Sequence, residues 1–137
     1  MSLNEKTESV VKLKSLYFDK INFWRSGGEI PQQDLKLNFN KSYQFNEQHD
    51  SCIVCLGCNL HDNNCEVFKL EISVTGIFMC NESDPVRRDT LLKKNSLAIL
   101  FPYIRSQISI VTAQPEMKPV VLPPMNIEAV FAESEEK

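Results

Sequence analysis

The chain has 137 residues and a formal net charge of −3 at pH 7, the size of one domain with a real core. That charge excludes the basic footprint of a nucleic-acid binder and a polybasic membrane patch. No apolar run is long enough to span a bilayer, so direct membrane insertion is not expected.

Residues 1–10 are polar, carry acids and read as a flexible segment rather than a signal peptide, which places the protein in the cytosol. Five cysteines in that compartment are expected as reduced thiols. From Val11 to Trp24 apolar residues occupy both parities, with Tyr17, Ile21 and Phe23 on one and Leu16, Phe18 and Trp24 on the other. This predicts a long strand, bulged near Ser15, with both faces partly covered. Gly27, Gly28 and Pro31 mark a loop. Asp34 to Asn40 alternates cleanly, with Leu35, Leu37 and Phe39 on one face, and predicts a half-buried strand. Ser51 to Leu60 and Cys65 to Met79 flank the polar loop His61-Asp62-Asn63-Asn64 as the arms of a hairpin. Four antiparallel strands joined locally then need one face covered by the helices that follow.

Asp84 and Pro85 read as the cap and first residue of a short polar helix that ends near Asn95. A long helix follows, with Leu97, Leu100, Phe101, Ile104, Ile108 and Val111 at steps of three or four and Pro102 inside, where a bend is expected. Arg105 reads as a surface charge whose stem packs on its neighbours. The chain then runs extended through Val120-Val121-Leu122 to Pro123-Pro124. Asn126 caps a last short helix, Ile127 to about Phe131, and residues 132–137 form a charged tail. The architecture expected over residues 11–131 is a single α+β domain: a four-stranded antiparallel sheet, one long bent helix and a short C-terminal helix.

Cys52, Cys55, Cys58, His61 and Cys65 have spacings that on a loop would suggest zinc. On a strand, Cys52 and Cys58 point one way and Cys55 the other, so they cannot converge on one ion. Cys58, His61 and Cys65 around the hairpin tip remain as a weak, incomplete metal candidate, and with it the reading of a zinc-stabilised adaptor or small enzyme. There is no phosphate loop, dinucleotide fingerprint or nucleophile elbow. No cofactor and no catalytic residue are expected, and the chain is not expected to be an enzyme.

The string Ile99-Leu100-Phe101-Pro102-Tyr103-Ile104-Arg105, closed by Leu122-Pro123-Pro124-Met125-Asn126-Ile127 and Val130-Phe131, resembles the bacterial export chaperone family SecB. The likeness covers about residues 11–131 and includes Thr75-Gly76-Ile77-Phe78 and the first strand. It implies an ATP-independent chaperone that holds unfolded precursor polypeptides for export through the Sec pathway. It also implies a homotetramer, a dimer of dimers, that hands its clients to the SecA motor. Under the resemblance Tyr17, Leu70, Ile72, Val74, Leu97, Phe101, Ile104, Arg105 and Ile108 lie at oligomer contacts. Phe39, Val120, Leu122, Met125, Ile127, Val130 and Phe131 line or lid a peptide groove. Export members carry first-strand acids that meet the motor. Lys20 and Trp24 stand at those positions here, which leaves Glu71 and Asp19 as motor-docking acids, a patch that attracts a basic partner poorly. The alternative within the family is a chaperone dedicated to one partner such as an antitoxin.

Overall fold

The computed structural model describes residues 10–31 and 34–136, with side chains in the last helix as far as Ala132. The first nine residues of the predicted flexible segment and Lys137 of the charged tail lie outside that description. Strands β1 (Val11–Arg25), β2 (Lys36–Phe45), β3 (Ser51–His61) and β4 (Phe68–Cys80) precede the helices α1 (Pro85–Thr112) and α2 (Ile127–Glu136). The α+β class and its four-stranded antiparallel sheet are as the sequence predicts.

The strand order, β1-β4-β3-β2, corrects one expectation. β2, β3 and β4 are joined locally, but β1 pairs with β4 rather than with its sequence neighbour β2. This is a Greek-key order. The turn-rich connection around Gly27, Gly28 and Pro31 carries the chain from β1, at one edge, to β2, at the other.

One face of the sheet is a continuous apolar surface. Cys52, Val54, Leu56, Cys58 and Leu60 of β3 pair with Phe78, Gly76, Val74, Ile72 and Leu70 of β4, and all are buried. Strict alternation puts them on one side, and α1 covers that side. Its inward residues are Leu97, Leu100, Phe101, Ile104 and Ile108. A Cβ built on Gly76 would lie 2.9 Å from Leu100 Cδ2 and 2.7 Å from the Phe78 ring, so the missing side chain lets helix and sheet approach closely. Among the described residues nothing covers the other face. It carries Tyr17, Ile53 and Met79, all exposed, around Ile77.

β1 reaches both faces because its register shifts twice, between Leu13 and Ser15 and between Phe18 and Lys20. Each extra residue reverses the parity that follows. Leu13, Leu16, Phe18, Ile21 and Phe23 therefore pair with the helix-side row of β4, while Tyr17 and Trp24 pair with the open-side row. The single bulge expected near Ser15 is present. The second, at Asp19, overturns the parities read from sequence: Phe23 joins Leu16 and Phe18, and Tyr17 joins Trp24.

The helices also differ from expectation. α1 is one continuous helix of 28 residues, not a short polar helix followed by a long one. Arg87 to Lys94 are good helix formers apart from Asp89 and Thr90, and no glycine or proline there breaks the hydrogen-bond ladder. Asp84 is the N-cap residue, but its side chain makes no capping bond; the Arg88 N–H donates to its carbonyl at 2.8 Å. Pro102 is exposed, as is Ala98 four residues back, so water can reach the carbonyl that Pro102 leaves without a donor. At α2 the Asn126 side chain accepts from the N–H groups of Glu128 (3.1 Å) and Ala129 (3.3 Å), the cap the sequence predicts. That helix runs on to Glu136, past the predicted end at Phe131.

Asp62 closes the β3–β4 hairpin. Its carboxylate accepts from the backbone N–H groups of Phe68 and Val67, both at 3.0 Å, and of Glu66 at 3.1 Å. These bonds, that from Phe68 foremost, lower its pKa from 3.8 to about 2. The folded state thus favours the carboxylate. The stabilisation is complete above about pH 4 and is lost as pH falls toward 2. Asp62→Asn should lower the urea midpoint near neutral pH, and the gap to the parent chain should close between pH 4 and 2. A gap independent of pH would show that the charge does not act there.

Candidate functional site

After α1 the chain is stapled to the sheet and to the helix it has just left. Arg25 Nη1 donates to the Pro115 carbonyl at 3.2 Å and approaches that of Glu116 at 3.4 Å. Ser109 Oγ donates to the Val120 carbonyl at 2.9 Å, and the Val120 N–H donates to Thr112 Oγ1 at 2.8 Å. A hollow of about 720 Å³ lies beside this staple, between Gly27–Ile30 and Glu116–Pro119. The connector then lies extended to Asn126, where α2 turns back onto α1.

Ile127 and Phe131, one helical turn apart, are the buried residues of α2. A concavity flanks them on each side. One, of about 200 Å³, is lined by Ala98, Phe101, Pro102 and Arg105 of α1 and by Pro124 to Ile127. The other, of about 460 Å³, is lined by Lys41, Tyr43, Lys93, Lys94, Leu97, Glu128, Phe131 and Ala132. Apolar walls with a rim of ordinary polar groups suit a ligand bound by area and backbone rather than by one chemical handle.

The residues expected to form a peptide groove are divided by this arrangement. Met125 and Ile127 line the smaller concavity and Phe131 the larger. Phe39 packs edge-on against Phe101, ring centres 5.9 Å apart. Leu122 is buried in the core, Val120 is held by the last turn of α1, and Val130 is half-buried. Sequence reading missed Lys41, Tyr43 and Phe45. Their period-two alternation continues that of Leu37 and Phe39 and would have extended the strand past Asn40.

The residues expected at oligomer contacts differ in how far the single chain itself covers them. Leu70, Ile72 and Val74 are 1%, 1% and 0% exposed in the single chain because their face of the sheet is the one α1 covers. Leu97, Phe101, Ile104 and Ile108 are buried from the opposite side of the same core. Residues already enclosed have no area left for a second copy. Surface available to one lies at Tyr17 on the open sheet face and on the outer stripe of α1, where Tyr103 and Ile110 are exposed and Ile99 is half-covered. Arg105 is half-buried in the wall of the smaller concavity.

The two expected docking acids are engaged within the chain. Glu71 forms an ion pair with Lys20 across the open face, and Asp19 accepts a hydrogen bond from Thr75 Oγ1 at 3.0 Å. The metal candidate does not assemble. Cys58 is buried on the helix side, where loss of water pushes its thiol up to about 12. His61 and Cys65 meet at the hairpin, Sγ to Nδ1 3.3 Å, where Cys65 has a left-handed φ of 55°. Burial also raises the Cys52 thiol. Among the described residues no three side chains of His, Cys, Asp or Glu gather as a ligand set, and no helix is long and apolar enough to cross a membrane.

Among the described residues, α1 covers one face of the sheet, the other face stays open, and α2 sits between two concavities, one with mostly apolar walls and one rimmed by Lys41, Lys93, Lys94 and Glu128. The sequence model of the family described as preprotein translocase subunit SecB matches residues 9–137, and the chain belongs to that family. Its role is accordingly a chaperone role in protein export. It is 34% identical over 118 residues to the uncharacterized protein MJ0357 of Methanocaldococcus jannaschii, covering 79% of this chain and 75% of that one. It is 27% identical over 125 residues to the protein-export protein SecB of Xanthomonas oryzae, covering 90% and 73%. In fold it is similar to the SecB-like chaperone Rv1957 of Mycobacterium tuberculosis, solved in complex with a ChAD peptide from the Rv1956 HigA1 antitoxin. The TM-score is 0.67 at 16% identity, over 89% of this chain and 92% of that one.

The enclosure of Val74 within the single chain has a direct check. A carboxylate at a fully enclosed position costs several kcal/mol. Val74→Asp is therefore expected to abolish the cooperative circular-dichroism melt, whereas Ile53→Asp on the open face should leave it within a few degrees of the parent. A folded Val74→Asp chain that has merely lost partner subunits would restore Val74 to an interface.

Proposed function

We propose that the protein holds unfolded, extended polypeptide in the two concavities beside α2, without ATP, and keeps it competent for export from the cytosol. The observation that carries this reading is the seat of α2. Ile127 and Phe131 are its only buried anchors among the described residues, and Met125 and Ile127 open onto one concavity while Phe131 opens onto the other. A client of no fixed sequence is best held by apolar area and backbone pairing. The exposed outer stripe of α1 and the uncovered sheet face support assembly into a homotetramer, a dimer of dimers, in which several such sites add avidity to weak contacts.

A second reading, a chaperone dedicated to one partner such as an antitoxin, is favoured by the state of the docking acids. Glu71 spends its charge on Lys20, and Asp19 is bonded to Thr75, so the open face offers a basic motor tail little attraction. The structural neighbour bound to an antitoxin peptide accords with this reading.

Fluorescence anisotropy with a labelled, permanently unfolded polypeptide tests the first reading. Met125→Asp is expected to weaken binding by about tenfold, equivalent to about 1.4 kcal/mol. Unchanged affinity would remove Met125 and its concavity from the site, and no binding by the parent chain would end the holding role. Titration of purified SecA on the same protein separates the two readings: tight capture supports export service, and none supports dedication.

A further inference from the structure

His61 and Cys65 face each other at the tip of the β3–β4 hairpin. The His61 Nδ1–H donates to the Asp62 carbonyl at 2.7 Å; a carbonyl only accepts, so the proton sits on that nitrogen. Cys65 Sγ lies 3.3 Å from the same Nδ1. The sulfur therefore meets an N–H donor and takes the acceptor's part. A donor aimed at sulfur stabilises the charge of an attacking thiolate. Cys65 is half-buried, and a concavity of about 320 Å³ opens beside it, with Asn38, Asn59, Lys69 and Glu71 as its polar wall.

The other four thiols lack this arrangement. Cys52, Cys58 and Cys80 are buried. Cys55 is half-buried, but it stands between Ser42 and Thr75 of the neighbouring strands, and no described imidazole contacts it. Charges of both signs surround Cys65. Lys69 is the cation of the wall, Glu71 pairs with Lys20, Asp62 accepts from three backbone N–H groups, and Glu66 is exposed at the next position. Selection there rests on size and hydrogen bonding rather than on net charge. The volume is at the lower end for a ligand site, and the Asn38 and Asn59 amides and Lys69 suit the amide and carboxylate groups of an amino-acid derivative.

We infer that Cys65 is a modification site that takes up half of a small disulfide built from amino-acid thiols, with His61 as its positioning residue. Cys65 gives its proton to water, and its sulfur attacks one sulfur of the incoming disulfide. That S–S bond breaks, a bond from Sγ forms, and the other half leaves as a thiolate that takes a proton from water. Cys65 is oxidised, the departing half is reduced, and excess thiol runs the step backwards. The attached half lies in the concavity that Glu71 bounds, so an oxidised small-thiol pool is registered on the open face of the sheet, beside the Lys20–Glu71 pair. Nothing in this step depends on the holding role proposed above.

The folded, reduced chain incubated with oxidised glutathione, then alkylated and mapped by mass spectrometry, tests this. One glutathione per chain, on Cys65 and removed by dithiothreitol, is the expected result. The chain unfolded in urea, where all five cysteines are accessible, gives the reference reactivity. His61→Leu should slow uptake about tenfold, the worth of one hydrogen bond to a charged group. His61→Asn, which puts an amide N–H where Nδ1 stood, should restore most of the rate, with melts of all three folded chains within a few degrees. If a variant melts early, the map of the parent chain decides alone. Uptake on Cys55 in place of Cys65, uptake spread over several cysteines of the folded chain, or no uptake by the folded chain overturns the inference. Equal rates for the parent and His61→Leu overturn the part given to His61.

Discussion

The close approach of Leu100 to the bare backbone of Gly76 sets the distance between α1 and the sheet. A single helix at that distance encloses the central rows of β3 and β4 and little more. Two layers are the least a domain can be built from, and here the second layer covers one face only. Among the described residues, the opposite face and the outer stripe of α1 stay uncovered. The tightness of one half of the molecule and the openness of the other have the same origin: all inward apolar residues of α1 are used against its own sheet.

That division explains what the sequence discloses and what it hides. The stripe of α1 is legible because 3.6-residue spacing survives any tertiary context. The alternations in β2 and β4 and the Asn126 cap are legible for similar local reasons. β1 is opaque because two bulges each shift the pleat by one residue, and no composition signal marks Lys14 or Asp19 as the extra residue. Strand order is opaque because β1 could sit beside either sequence neighbours or β4 with the same alternation. That α1 encloses the inward-facing rows of β4 within the single chain is not legible either, because in sequence an apolar row carries no label saying what covers it.

The charged surface tells a similar story. Lys20 can be read as a departure from the acids that export members carry. That it pairs with the remaining Glu71 requires the register Lys20–Ser73 and Asn22–Glu71, which the bulge at Asp19 sets. On the opposite face, Lys41 lies at a position of β2 that alternation assigns to the core side. Its ammonium group lies over the Phe131 ring, 4.6 Å from the centre, and within 5.8 Å of that of Tyr43.

Burial of Cys52, Cys58 and Cys80 has a consequence for traffic with reduced chains. Thiol–disulfide exchange requires an accessible thiolate, and Cys58, held protonated until about pH 12, supplies neither access nor charge. An unfolded precursor presents its own cysteines uncovered. A holder with reactive sulfur within reach would trap such cargo through a mixed disulfide; Cys52, Cys58 and Cys80 are withdrawn from that exchange, which leaves only the half-buried Cys55 and Cys65 for it.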